Sequence, residues 1–513
     1  MHINSDLKDN RALNAARNTI IGFIQSILVT IIPFVVRTIM ANILGAEYLG
    51  LNSVYMSIMQ VLNLAELGFG SVIVFFLYKP AAYGDEELVA SYMIFLKRIY
   101  QCIGLGIIIC GMLVLPFLNR IVGTEAPSDV NIHLLFILFT MGSAVAYFMF
   151  PEIGIYFTAY QRNDLNYSIT IISWGCTYII QIIGILLFRS YYIYVLSVAL
   201  QAFLCGILRI RIGNKALKLE KVAKHLSLKE KKDIYNRTKA MIGHTIDVQL
   251  INGVDSIVIS AQCGLTAVAI YGNYFYVFAA AMMIADVIYQ AVQASIGNAI
   301  AIEKSSDNYS RFRCMFWMSS CLGGIISIVM LSTYQIFMRL WMPQLIDSSN
   351  LYIIICIYFY ISQLRKTTTL FKNAGGMWED DKLKPYIAMI VNFALDIALV
   401  AKIGISGVVF ASIITIVIIE IPWETYIIFH NYFHLNGWKY IMEMILYSCI
   451  NLFLAVISKM IVGFVVEGSS VESFVLSGII SISCTLVGYL LFFSRTEVFH
   501  VWKKIIVEMK KNK

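Results

Sequence analysis

The chain reads as a succession of long apolar runs divided by short polar intervals. A hydrocarbon core about 30 Å thick is crossed by roughly 20 helical residues. On that ruler fourteen runs predict spans. Six lie near 18–43, 50–78, 99–119, 131–159, 166–188 and 190–210; six more near 239–262, 266–300, 314–338, 350–371, 385–401 and 404–429; a last pair near 440–463 and 473–494. The pattern predicts an all-α integral membrane protein of about fourteen transmembrane helices. The stretch before the first run is polar, so that run is expected to be a retained span rather than a cleaved signal.

Composition agrees with the pattern. Of 513 residues, 59% are hydrophobic and only 14% charged, where a soluble protein carries about one-quarter charged residues; the mean hydropathy is +0.76. Charge adds the orientation. With the N-terminus inside, 33 of the 39 Lys and Arg residues fall in cytoplasmic loops, tails and the helix ends beside them, as the positive-inside rule requires. Arg120, Arg189, Arg339 and Lys402 border external loops, and Arg37 and Lys459 lie within spans. An even span count puts both ends in the cytoplasm. The basic residues lie along membrane surfaces, which offers nothing to nucleic acid.

The seven His are scattered and the ten Cys contain no CxxC pair, so neither a metal site nor disulfides are expected. No loop exceeds about thirty residues, and the external acids carry no motif, so no enzyme is expected. The longest loop, within 209–239, is strongly basic and suits anionic headgroups. The tail at 496–513 reads as an interfacial amphipathic helix.

Two stretches suggest an internal repeat. ILGAEYLGLNSVY (43–55) follows the first run and QCGLTAVAIYGNYFY (262–276) follows the seventh; Gly45 corresponds to Gly264 and Asn52 to Asn273. TAYQRNDLNYSI (158–169) has a counterpart in FKNAGGMWEDDKLKPYI (371–387). Six spans repeated in the same orientation give a lobe at 1–212, a basic linker at 213–237 and a second lobe at 238–430. Two extra spans at 431–495 lie outside the repeat. Repeats of this kind place a substrate path where the lobes meet, opened alternately to each side.

Polar residues inside spans are costly and must face protein or water. At 100° per residue, Asn52, Asn63, Glu66 and Gly70 fall within about 60° of one another on the second span. Asp286, Gln290 and Gln293 share a face of the eighth, and the repeat register sets Glu66 opposite Val287, beside Asp286. The seventh span carries His244, Asp247, Asn252 and Asp255. These acids and His244 are candidates for coupling to H+ or Na+; each can equally be a hydrogen-bonded packing element. No other cofactor is expected. Arg37, Arg365 and Lys366 would set cations along a central path, with Arg162 and Lys372 at its cytoplasmic mouth. Cations suit a phosphate or diphosphate. Arg37 has the alternatives of snorkelling or pairing with Asp255 or Glu47, and Arg365 and Lys366 that of positive-inside flanking.

RTIMANILGAEYLGLNSVY and LNLAELGFGSVIVFFLYKP (within 37–80), taken with FKNAGGMWEDDKLKPYIAMIVNFALDIALVAKIGISGVVFASII (371–414), resemble the polysaccharide-transporter branch of the multidrug/oligosaccharidyl-lipid/polysaccharide exporter (MOP) superfamily. These are the Wzx-type flippases of O-antigen, capsule and exopolysaccharide repeat units. The resemblance implies two six-helix lobes in a V, as in MATE transporters, plus two accessory helices. It implies an undecaprenyl-diphosphate-linked glycan carried from the inner to the outer leaflet of a bacterial plasma membrane. Membrane lipids, and the polysaccharide polymerase and glycosyltransferases of the same pathway, would be its partners. Arg37, Arg365 and Lys366 are the positions that could meet the diphosphate. The rival readings are an ion-coupled multidrug antiporter, against which Arg37 argues, and a lipid II flippase. GMWEDDKLKP (376–385) reads as a cytoplasmic turn, with Gly375 and Gly376 ending one helix, Pro385 starting the next, and its acids pairing with Lys382 and Lys384.

Overall fold

The computed structural model describes residues 11–500 and 503, apart from 67, 124–125, 220–222, 225, 303–304 and 378–379. Within its helices, the side chains of 11–13, 15–16, 64–65, 215, 219, 240–252, 288, 290–295, 297–299, 301–302 and 305–306 lie outside that description. Most of the tail expected to be amphipathic (496–513) also lies outside it.

All fourteen apolar runs are helical. The first part holds α1 (Arg11–Ile43), α2 (Ala46–Leu62), α3 (Phe69–Tyr83), α4 (Glu86–Val114), the short α5 (Leu118–Val122), α6 (Ile132–Phe148), α7 (Pro151–Ala159), α8 (Asn163–Phe188), α9 (Tyr191–Ile212) and α10 (Asn214–Leu219). The rest holds α11 (Leu228–Cys263), α12 (Leu265–Ile302), α13 (Ser305–Trp341), α14 (Leu351–Ala374), α15 (Lys384–Ile403), α16 (Ser406–Thr415), α17 (Ile421–Tyr426), α18 (Trp438–Val465) and α19 (Val471–Phe493). Among the described residues, ten helices are long and apolar enough to cross a membrane, or eleven counting α6 and α7, which meet at a 44° bend. The three remaining runs are the broken second one, polar-started α11, and α14, whose C-terminal half carries Arg365, Lys366 and Lys372.

The second run is where the expected geometry fails. A single helix over 50–78 does not form: the chain turns through a 3₁₀ segment at Asn63–Glu66 between helices of 17 and 15 residues. Gly68, with φ 93°, sits in the left-handed region that glycine enters without penalty. Asn52 and Glu66 therefore do not share one helical face. Its counterpart α12 runs unbroken from Leu265 to Ile302, so the register that set Glu66 opposite Val287 does not extend that far. The two glycines that the sequence aligned adopt similar backbone conformations. Gly45 (φ 120°, ψ 169°) and Gly264 (φ 88°, ψ 175°) make the same turn before α2 and α12, and Asn52 and Asn273 are both buried.

Packing divides the chain into Met1–Ala269 and Ile270–Lys513. The division falls beyond the basic linker at 213–237, because α11 lies along α2. A Cβ on Gly50 would stand 2.0 Å from the Leu265 carbonyl oxygen, so only glycine permits that approach. The first unit's core gathers Val72, Ile73, Leu77, Val89, Leu96 and Tyr156 from α3, α4 and α7.

In the second unit α13 packs on α14, α18 and α19. Phe312 stands edge-on to Phe371, Phe429, Phe433 and Tyr440 at 5.1–5.5 Å, a geometry that suits aromatic quadrupoles. Deeper in, Asn451 donates to the Tyr360 hydroxyl at 2.7 Å and to Ser320 at 3.3 Å. Tyr489 donates to the same amide's oxygen. This buried polar network ties α18 and α19 to α13 and α14. Their outer faces are apolar and exposed, as at Phe464 and Leu491, which suits helices bathed in lipid.

Candidate functional site

The second unit concentrates its charge at the C-terminal end of α14. Arg365, Thr368, Thr369 and Lys372 are spaced i, i+3, i+4, i+7 and so share a face. Opposite them Glu420 and Glu424, four residues apart, present two carboxylates to one side. The helix carrying these acids has π-helical turns at Ile416–Glu420 and Ile427–Phe433, on either side of Pro422, which has no N–H to give the α ladder. Arg365 pairs with Glu420 and, at 2.9 Å, with Glu424. Lys384 reaches Glu424 at 2.6 Å and Asp381 at 3.2 Å. Lys372 pairs with Asp381 and, at 3.5 Å, with Glu424. The hydroxyls of Thr368 and Thr369 donate to Glu424 at 3.1 and 2.9 Å.

Three cations thus neutralise three carboxylates. Both glutamates, Asp381, Lys372 and Lys384 are buried. This corrects the expectation for Arg365 and Lys372. Their charges are spent inside the protein, because desolvated carboxylates demand partners, and they leave no net positive charge for a headgroup. Glu420, Glu424 and Asp381 were missed as their partners, although the matching stripes on α14 and at 420–424 are visible in the sequence. The backbone of the turn at 375–385 follows the expectation, with Gly375 capping α14, Gly376 at φ 67° and Pro385 in the first turn of α15, while Glu379 lies outside the described residues. Asp381 meets Lys384, and Asp380 accepts from Asn431 at 2.9 Å.

Lys366, one residue from Arg365, points elsewhere. Its Nζ lies 2.5 Å from Asp286 Oδ1 on α12, and both side chains remain about one-third exposed, at 31% and 35%. The Tyr289 ring lies 5.8 Å from the same ammonium. Two residues singled out separately are here one half-exposed ion pair, bridging α12 and α14. Gln290, further along α12, lies outside the described side chains, as do His244 and Asp247 of α11. Asp255 of α11 is buried.

In the first unit Glu66 and Asn63 lie together at the break between α2 and α3. Tyr147 of α6 donates to Glu66 at 2.6 Å and stands 3.2 Å from the Asn63 oxygen. Asn52, further along α2, is buried and takes a bond from Tyr191 at 3.4 Å. Arg37 is half-buried on α1. Arg162 makes a two-pronged pair with Asp164 at 2.9 and 3.1 Å. Asn18 of α1 accepts from the Asp164 N–H at 2.7 Å, so Arg162 fastens the turn before α8 rather than standing open at a mouth.

A further acid also escaped the sequence reading. Asp396 is wholly buried on α15, one turn from buried Asn392. With its amide oriented to satisfy both groups, Asn392 donates to Asp396 at 3.2 Å and accepts from the Ser412 N–H of α16 at 3.3 Å. The signal was an aspartate in the middle of the 385–401 run. Among the described residues no group of three or more His, Cys, Asp or Glu could hold a metal ion.

The comparisons agree with this architecture. No curated protein matches the chain significantly. Among solved structures, lipid II flippase MurJ in an inward closed conformation matches with a TM-score of 0.64 and 15% identity, over 93% of this chain and 98% of that one. An inward-facing multidrug resistance MATE transporter of the MOP superfamily gives 0.63 and 11%, over 78% and 93%. At such identities the likeness is one of fold, and the fold is that of a multi-pass membrane transporter. The model of the polysaccharide biosynthesis protein family matches residues 15–296, more than half the chain, and the protein belongs to that family.

Proposed function

We propose that the protein is a flippase of undecaprenyl-diphosphate-linked oligosaccharide repeat units, moving them from the cytoplasmic to the outer leaflet of a bacterial plasma membrane for surface polysaccharide assembly. What supports this reading is a conjunction. A chain of the polysaccharide biosynthesis family has, over 93% of its length, the fold of a protein whose named cargo is a lipid-linked glycan precursor. Alternating access carries the headgroup while the polyprenyl tail stays in lipid. Both chain ends are cytoplasmic in this reading, as the Lys and Arg distribution requires.

Within the site, Lys366 is the cation best suited to a diphosphate: it is half-exposed, and its present partner Asp286 is an anion that another anion can replace. Arg37 is the second candidate. Arg365 and Lys372 hold α14 in place instead. Coupling to H+ or Na+ falls to the intramembrane carboxylates, with Asp396 and Glu66 foremost, since a buried acid changes charge only when a proton or cation reaches it.

The test is leaflet transfer of a fluorescent undecaprenyl-diphosphate oligosaccharide in proteoliposomes. Transfer by the wild type, lost in Lys366→Ala while the variant remains folded, supports the proposal. Vesicles that expel a cationic dye but leave the glycolipid in place would move the reading to a multidrug antiporter.

A further inference from the structure

A groove of about 500 Å3 runs along α4, between the α2–α3 break and the start of α11. Its walls are apolar: Phe69, Phe95, Ile99, Ile103 and Ile107, with Gly106 in the floor. At one end stand two cations, Arg98 and Lys231, and neither meets a carboxylate among the described residues. Tyr235 closes that end, edge-on to Phe69 at 6.2 Å and to Phe95 at 6.3 Å. From Arg98 to Cys110 the α4 wall is about 18 Å long at 1.5 Å per residue. The cationic end is the end that the Lys and Arg distribution assigns to the cytoplasm.

We infer that this groove is a binding site for an anionic phospholipid of the cytoplasmic leaflet, its phosphate held by Arg98 and Lys231 and one acyl chain laid along α4. Charge complementarity selects the occupant. An acyl chain alone needs no cation, and a soluble anion needs no apolar wall 18 Å long. Basic pockets between spanning helices on the cytoplasmic side recognise lipid headgroups in this way, and the ring of Tyr235 sits where aromatic side chains meet the headgroup layer. The site lies wholly in the first unit and shares no residue with the Lys366–Asp286 pair or the buried charge cluster of the second.

Gly106 strengthens the assignment. A Cβ placed there meets nothing within 4 Å, so this glycine is not required by packing within the protein. The space above it is open to a ligand.

The protein carries its own reporters. Cys102 and Cys110 line the groove and are exposed; Cys176 and Cys449 are exposed elsewhere. The full chain in detergent would be labelled with a small maleimide, and each cysteine followed by mass spectrometry, with phosphatidylglycerol, phosphatidylcholine or undecaprenyl phosphate added. Phosphatidylglycerol is expected to slow labelling of Cys102 and Cys110 at least fivefold while leaving Cys176 and Cys449 unchanged, and phosphatidylcholine to do much less. Arg98→Gln/Lys231→Gln should lose that protection. Gly106→Leu should lose it too by filling the groove, and the control cysteines in each variant report whether the fold survives. Equal protection by phosphatidylcholine would overturn the headgroup assignment. Protection by undecaprenyl phosphate alone would overturn the phospholipid and give the groove to the substrate's carrier.

Discussion

Lys366 of α14 and Asp286 of α12 face each other at 2.5 Å with a third of each side chain still exposed. A pair in that setting is worth little by itself, about 0–1 kcal/mol, because water competes for both ends. In the proposed function the same weakness would let a diphosphate, with more negative charge than the aspartate, displace it.

Asp286→Asn removes the competing anion and leaves Lys366 in place. The expected result is tighter binding of the diphosphate headgroup, by up to about fivefold, the ratio that corresponds to about 1 kcal/mol. Lys366→Ala should weaken binding by a larger factor, and the double variant should resemble Lys366→Ala. Titration of a fluorescent undecaprenyl diphosphate into each purified protein checks this; unchanged affinity in both single variants would remove Lys366 from the headgroup site.

Arg365→Ala should fail for a different reason. It takes from buried Glu420 the guanidinium it pairs with, while buried Glu424 keeps Lys384 and Lys372. Leaving such a charge without its partner costs roughly 3–5 kcal/mol. The expected readout is a large drop in thermal stability in detergent, with transport lost in proportion to folded protein. A stable Arg365→Ala protein that no longer transports would return Arg365 to the substrate path.

Gly324→Ala tests the docking of the accessory helices. A Cβ at Gly324 would lie 1.9 Å from both the Asn451 oxygen and the Tyr489 hydroxyl, so the Asn451 network must part. Overpacking of this kind costs roughly 1–3 kcal/mol. Gly106→Ala, on an open surface within a helix, should instead be neutral or stabilising by about 0.5–1 kcal/mol. Melting temperatures of the two variants, measured side by side, should move in opposite directions or differ clearly in size.

The carboxylates at Asp396 and Glu66 separate two forms of coupling. Asp396→Asn should lower gradient-driven transfer at least about tenfold while sparing slow exchange without a gradient, since the neutral amide cannot release a proton or hold a cation. Glu66→Gln keeps an acceptor for the Tyr147 hydroxyl and should preserve the fold. Rates measured against imposed pH and Na+ gradients decide it: full gradient dependence in Asp396→Asn would exclude that residue from coupling.

Where the sequence succeeded and where it failed follows a physical line. The fourteen helices were legible because burying backbone in hydrocarbon leaves it no option but helix. The Gly45 and Gly264 turns were legible because a left-handed backbone needs glycine. The break at Asn63–Glu66 was marked only by Gly68 and Gly70, and apolarity ran straight through it, so the helical wheel drawn across 52–70 joined residues that do not share a face. Among the charged candidates, Lys366 and Asp286 were each identified without any sign that they were partners.

Hydropathy and charge bias are properties of residues one at a time against a fixed solvent. They determined that this is a multi-pass membrane protein built of long apolar helices. Whether a given cation is open or already neutralised depends on which carboxylate comes within about 4 Å of it. Glu424 is 52 residues from Lys372 and 59 from Arg365, and neither distance can be read along a chain. Only the tertiary structure decided that Arg365 and Lys372 are paired with buried carboxylates, while Lys366 beside them sits in a pair still one-third exposed.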